Sequence, residues 1–291
     1  MKRFTPALIA ALFGPLALAA SAQEFAAVPG LADSLAAVKD AAKRQKLTAQ
    51  RPTLHGVMGA SRFEALSALS LDEAPDVTAY PVRGVDISHY EGDIAWELVK
   101  LDGLSFMYIK ATEGVDYVDA KFAQNWDGAT SAGLLRGAYH FYNFCKGGAE
   151  QADHFIAVVP PDAGALPMTL DLEQSGDCKT MPDKAAFRAD LAAFVEKIQS
   201  AYGHRPVIYL NYSIYNRYFS GENDPYRLWI ADPSHAAPAL PDGSSWAMWQ
   251  YGWHGQVDGI TGEVDLDVFN GTPQMLAALA GPSDVLLAAL R

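Results

Sequence analysis

Two regimes of hydrophobic patterning divide this chain. From Tyr80 onward, short runs rich in β-branched, aromatic and aliphatic residues recur between Gly, Pro, Asp and Asn punctuation. Eight of these runs are predicted as strands, at 82–88, 105–110, 136–142, 166–173, 206–211, 227–231, 246–251 and 263–268. Between the earlier runs, apolar positions recur at intervals of three and four. The clearest set is Phe187, Leu191, Phe194, Val195, Ile198 and Tyr202, which stops at Gly203 ahead of Pro206. Shorter sets lie at Ile94, Trp96 and Val99, at Phe122, Trp126 and Ala129, at Ala152, Phe155, Ile156 and Val159, and at Ile214, Tyr215 and Tyr218. The last connections, 232–245 and 252–262, are short and carry Pro or Gly where a crossover helix would run, so they read as loops or hairpins. The fold class read from this order is α/β: an incomplete TIM-like βα barrel of eight strands with about five helices, its last three strands lacking crossover helices. Active sites of such barrels lie at the C-terminal ends of the strands.

Residues 23–79 follow another pattern. They are rich in Ala, Ser and Leu, with one amphipathic stretch at Leu31, Leu35, Val38 and Ala42, followed by Pro52, Gly56, Gly59 and Pro75. That content suits a helix and a flexible linker rather than a core, whether a plain tether or a segment that positions the barrel at an envelope surface. Ahead of it, Met1-Lys2-Arg3, an apolar run over 4–20 and Ala20-Ser21-Ala22 read as a secretory signal, 1–22. A membrane anchor is the alternative, but the run is short and broken by Pro6, Gly14 and Pro15. The barrel is expected over 80–272, and a C-terminal tail, open to a helix, over 273–291. The expected location is therefore outside the cytoplasm, periplasmic or extracellular, without stable membrane insertion, and as a monomer.

Composition narrows the partners. Removing Lys2 and Arg3 with the signal leaves 20 basic against 34 acidic residues, a formal charge of −14, which opposes binding to nucleic acid phosphates. Cys145 and Cys178 are two thiols in a chain bound for an oxidising compartment, and the layout puts both on loops at one end of the barrel; a disulfide is expected, two separate thiols being the alternative. The seven His are scattered and neither Cys has a near partner, so no metal and no cofactor is expected.

Carboxylates carry the chemistry. In Leu170-Asp171-Leu172-Glu173 the acids alternate with leucines, so both project to one face of the strand. Two like charges roughly 6 to 7 Å apart resist joint ionisation, which keeps a proton on one of them. Glycosidic cleavage needs such an acid beside a second carboxylate. Asp86 near the end of the first strand, and Asp265 and Asp267 on the last, sit in apolar runs where a charge is costly unless it has a function or a partner; structural hydrogen-bond acceptors are the alternative. Aromatic residues that could cover sugar faces are Tyr139, His140 and Phe141, Tyr209 and Tyr212, and Trp246, Trp249 and Tyr251.

These residues resemble a known family. Gly84-Val85-Asp86-Ile87-Ser88-His89-Tyr90, Gly92-Asp93-Ile94-Ala95-Trp96, and Lys110-Ala111-Thr112-Glu113-Gly114 after the run 106–109 look like glycoside hydrolase family 25. Gly137-Ala138-Tyr139-His140-Phe141, Asp171-Leu172-Glu173, Leu228-Trp229-Ile230-Ala231, Trp249-Gln250-Tyr251 and Val264-Asp265-Leu266 follow in the family's order. The resemblance covers 80–271 and implies a lysozyme that cuts the β-1,4 bond between N-acetylmuramic acid and N-acetylglucosamine in peptidoglycan, with retention. By position it implies Glu173 as proton donor, Asp171 as partner to the substrate N-acetyl group, Asp86 and Asp265 as flanking acids, and Tyr139 as a cleft tyrosine. Tyr209, Trp249, Gln250 and Asp267 are expected to bind substrate. Glu91 and Asp267 depart from the family's usual Gln and Asn, and both are expected to add charge near the mouth. A non-catalytic peptidoglycan-binding module on the same barrel, and another glycosidase such as a chitinase, are the alternative readings.

Overall fold

The computed structural model describes residues 75–174 and 178–281. The expected signal, all but the last five residues of the expected linker, and 282–291 of the tail lie outside the described residues.

The described strands are β1 (Val82–Ile87), β2 (Phe106–Glu113), β3 (Tyr117–Val118), β4 (Leu135–Phe141), β5 (Thr169–Leu172), β6 (Val207–Asn211), β7 (Arg227–Ala231), β8 (Met248–Gly255) and β9 (Val264–Phe269). Hydrogen bonding runs β1-β9-β8-β7-β6-β5-β4-β2, and β1 also pairs with β2, which closes an eight-stranded barrel. Strands β1, β2 and β4 to β8 are parallel, whereas β9 is antiparallel to both of its neighbours. A hairpin explains this: the β8–β9 connection is too short for a crossover, so the chain returns in the opposite direction. β3 is a two-residue strand folded back on the end of β2. It lies outside the eight expected strands because two residues carry no periodicity.

The helices are α1 (Trp96–Leu101), α2 (Phe122–Ala132), α3 (Gly148–Val158), α4 (Lys184–Tyr202), α5 (Tyr212–Ile214, continuing as a wide turn over Tyr215–Phe219) and α6 (Pro273–Leu279). The first five match the predicted patterns. Local chemistry sets their ends: Asp183 caps α4 by accepting from Ala186 N–H at 2.9 Å, and Gly203, at φ 75°, ends it in the left-handed conformation that a Cβ disfavours. α6 starts at Pro273 behind the Thr272 cap and places Leu276 with Val82, Phe106 and Phe269, so it plugs the end of the barrel opposite the mouth. No helix bridges β7 to β8 or β8 to β9 among the described residues.

Strand alternation sorts the core into two layers. Phe106, Tyr108, Val207, Tyr209, Trp229 and Met248 fill the barrel interior, while Val85, Met107, Leu170, Leu172, Ile208 and Ile230 pack outward against the helices. Gly84 faces inward, where a Cβ would lie 2.4 Å from the Phe106 ring, so glycine is what lets that ring occupy the axis.

Candidate active site

Inward positions near the mouth converge from seven of the eight barrel strands. β1 brings Asp86, β2 Lys110, β4 Tyr139 and Phe141, β5 Asp171, β6 Tyr209, β8 Gln250 and β9 Asp265; Glu173 follows one residue beyond the end of β5. All of these line one cleft of about 520 Å³. Asp171 and Glu173 therefore open into a shared hollow, while Leu170 and Leu172 between and beside them are buried under the helices. Because β9 runs antiparallel, Asp265 reaches the mouth from the beginning of its strand, directly opposite Asp86 in the register.

Hydrogen bonds tie these groups together. Gln250 Nε2 donates to Asp86 Oδ2 at 2.8 Å and to Asp265 Oδ2 at 3.3 Å. Gln250 Oε1 accepts from Trp253 Nε1 at 2.9 Å and stands 2.8 Å from the Tyr209 hydroxyl. That hydroxyl is also 3.0 Å from Glu173 Oε1, and its single proton serves one of the two acceptors at a time. Asp171 Oδ1 is buried and has no hydrogen-bond partner.

Burial and crowding of like charge shape the electrostatics. Burial, then the neighbouring Glu173 and Asp86, push Asp171 well above the usual carboxylate range. Burial and Asp265 do the same to Asp86. Asp265 is pushed up to about 7, by burial and then by Glu91 and Glu173. Lys110 opposes this trend at Asp171; its amine pairs with Glu113 at 2.7 Å and lies 4.8 Å from the centre of the Phe141 ring. Burial raises the Tyr139 and Tyr209 phenols, so both remain hydroxyls.

Two expected substrate-binding residues are elsewhere. Trp249 is fully buried on the outer face of β8, where its Nε1 donates to Asp232 O at 2.7 Å and its ring meets Tyr80, Trp246 and Tyr251. Alternation forces this, because Gln250 takes the inward position and its neighbour must face out. Asp267 is fully buried below the cleft rather than at the mouth, with Trp229 Nε1 donating to its Oδ1 at 3.0 Å. The antiparallel direction of β9 is the reason: two residues further along this strand lead down into the barrel. Glu91 does reach the mouth, where its carboxylate accepts from Ser88 N–H at 2.6 Å and closes the turn His89–Glu91. His140 also faces outward, held between Thr112 Oγ1 at 2.7 Å and Gln151 Oε1 at 3.2 Å.

Sequence reasoning missed Lys110, Tyr90 and Trp253, which line the cleft. Alternation from Phe106 and Tyr108 could have placed Lys110 inward. Trp253 carries no such signal, because the β8–β9 register shifts between Gln250 and Gly252. Cys145 and Cys178 form a disulfide that ties the β4–α3 loop to Cys178, ahead of α4.

The profile of glycosyl hydrolases family 25 matches residues 85–260. The chain belongs to this family. Within family 25, its matched span holds Asp86, Asp171, Glu173 and Gln250. "Lysozyme M1" of Streptomyces globisporus is 37% identical over 209 residues, covering 68% of this chain and 71% of that protein. The solved bacterial lysozyme of Streptomyces coelicolor superposes with a TM-score of 0.64 at 36% identity, covering 68% of this chain and 96% of that one. A family 25 glycosyl hydrolase from Bacillus anthracis gives 0.67 at 32% identity, over 70% and 96% of the two chains. The family 25 barrel is thus present nearly whole within this chain.

Proposed function

We propose that this family 25 enzyme is an exported muramidase that hydrolyses the β-1,4 bond between N-acetylmuramic acid and N-acetylglucosamine in peptidoglycan, with retention. The carrying observation is the pair Asp171 and Glu173 in one cleft, with an unpartnered Asp171 oxygen beside an acid held by Tyr209. Because burial and then its neighbour Glu173 raise Asp171, the pair keeps a proton over a range in which separated, exposed carboxyls would both be ionised. A sugar acetamido N–H placed against Asp171 Oδ1 favours the ionised form of Asp171 and leaves the proton with Glu173. Glu173 protonates the leaving glycosidic oxygen while the acetamido carbonyl oxygen attacks the anomeric carbon. The cyclic intermediate has its N–H on Asp171. Glu173, now a carboxylate, takes a proton from water, and the water oxygen opens the ring on the face the leaving sugar occupied. Two inversions at one carbon amount to retention. In this reading 80–272 is the catalytic barrel, and the Cys145–Cys178 bridge supports a site of action outside the reducing cytoplasm.

The test is mass spectrometry of peptidoglycan digested by the purified protein, with the anomer first released followed by NMR. New reducing ends that are muramic acid, released as the β-anomer, are expected. Binding without new reducing ends would instead make the barrel a glycan-binding module, and cleavage of chitin oligomers in preference to peptidoglycan would move it to another substrate.

A further inference from the structure

Beneath the cleft lies an acid that the proposed reaction does not use. Asp267 is fully buried, and in the sheet it stands between Gly84 of β1 and Gln250 of β8. Asp86 lies two residues further along β1 than Gly84, one layer above Asp267 and nearer the mouth. Trp229 Nε1 donates to Asp267 Oδ1, but Oδ2 is buried without any protein N–H or hydroxyl to accept from. The neighbouring acid group is the carboxyl of Asp86, within side-chain hydrogen-bonding reach of Asp267. Two neighbouring carboxyls, one of them shut off from solvent, favour a proton shared between them over two charges. Asp86 already accepts from Gln250 Nε2 at 2.8 Å, a contact that favours its charged form, whereas Asp267 is more deeply enclosed.

We propose that Asp267 is a neutral carboxylic acid that donates to Asp86, and that this shared proton makes it the positioning residue for the Gln250–Tyr209–Glu173 chain. With Asp86 an anion, the Gln250 amide must turn its N–H groups toward Asp86 and Asp265 and its oxygen toward Trp253 and Tyr209. Tyr209 then has an acceptor on either side: it gives its proton to Gln250 Oε1 while Glu173 is the acid, and to Glu173 once that group is a carboxylate. Were Asp86 to become the donor, Gln250 would lose the charge that orients it, and a turned amide would present N–H to Tyr209. The titratable groups facing Asp267 are Asp86 from β1, Asp265 from its own strand, Tyr108 from β2 and Tyr251 from β8. Burial and the two aspartates hold the Asp267 proton in place.

This inference rests on the role proposed for Glu173, so its test includes a readout that needs no turnover. In the infrared difference spectrum of wild type minus Asp267→Asn at neutral pH, loss of one protonated-carboxyl C=O band is expected. Loss of carboxylate bands instead would overturn the proposal. In kinetics, Asp267→Asn still donates to Asp86 and should keep kcat within about threefold, whereas Asp267→Ala should lower kcat by about tenfold or more with KM changed by less than about twofold. Equal behaviour of the two variants, both active or both inactive, would also overturn it. If Asp267→Ala does not fold, the infrared band and the Asp267→Asn rate decide. A wild type inactive on peptidoglycan would sink the proposed function while leaving the infrared result standing.

Discussion

The hydroxyl of Tyr209 stands 3.0 Å from Glu173 Oε1, although 36 residues separate them in the chain. It gives the candidate acid a fixed direction in an open cleft. Tyr209→Phe removes one hydrogen bond to a carboxyl while keeping the ring edge-on to Trp229. A loss of about 1.5 kcal/mol, or roughly tenfold in kcat, is expected at an unchanged Tm. Unchanged kcat would mean that Glu173 is held by other contacts.

Asp171→Asn separates activity from stability. The buried acid resists ionisation, so a neutral amide should leave Tm unchanged or raise it, while kcat falls by about two orders of magnitude or more. Thermal melts and turnover measured on the same preparation check both halves. A variant with near wild-type turnover would remove Asp171 from the mechanism.

Stability should fall as pH rises across the range set by Asp265. Its carboxyl moves from the ordinary 3.8 to about 7 on folding, so between those values the folded state binds more protons than the unfolded chain. The contribution is fully present below about 4 and lost as pH passes 7. Melts from pH 4 to 8 should show this decline, and Asp265→Asn should flatten it. A decline of equal slope in the variant would assign it to the other buried acids.

Reduction of the Cys145–Cys178 bridge should loosen the mouth. The bridge closes a 33-residue separation, worth about 4 kcal/mol in chain entropy, or roughly 10 °C in Tm. Calorimetry with and without reductant measures the shift. Turnover should fall with it, because the bridge fixes Cys178, close in sequence to Glu173, against the β4–α3 loop.

Trp253 is half exposed at the cleft and donates to Gln250, a position suited to covering a sugar face. Trp253→Ala should raise KM about five- to tenfold, with a smaller effect on kcat. The reverse split, kcat falling at constant KM, would make Trp253 a support for Gln250 rather than a substrate contact.

Much of this arrangement was legible in local pattern. Alternation in Leu170-Asp171-Leu172-Glu173 placed the two acids together, and three-four spacing located five helices, because both properties depend only on backbone geometry within a few residues. Trp249 shows the limit. A family block and an aromatic ring pointed it at substrate, yet the same alternation that turns Gln250 inward turns Trp249 out, and the inward phase of β8 is known only once Met248 is seen inside the barrel.

By itself, then, the sequence determined the barrel class, the order of its elements and the acids that share a strand face, since these follow from periodicity along one chain segment. Tertiary structure alone decided that Asp267 lies under the cleft rather than at its rim, and that Tyr209, Gln250 and Asp86 join Glu173 in one hydrogen-bonded chain. Those relations cross strands remote in sequence. Their distances come from how the sheet closes on itself, which no run of neighbouring residues encodes.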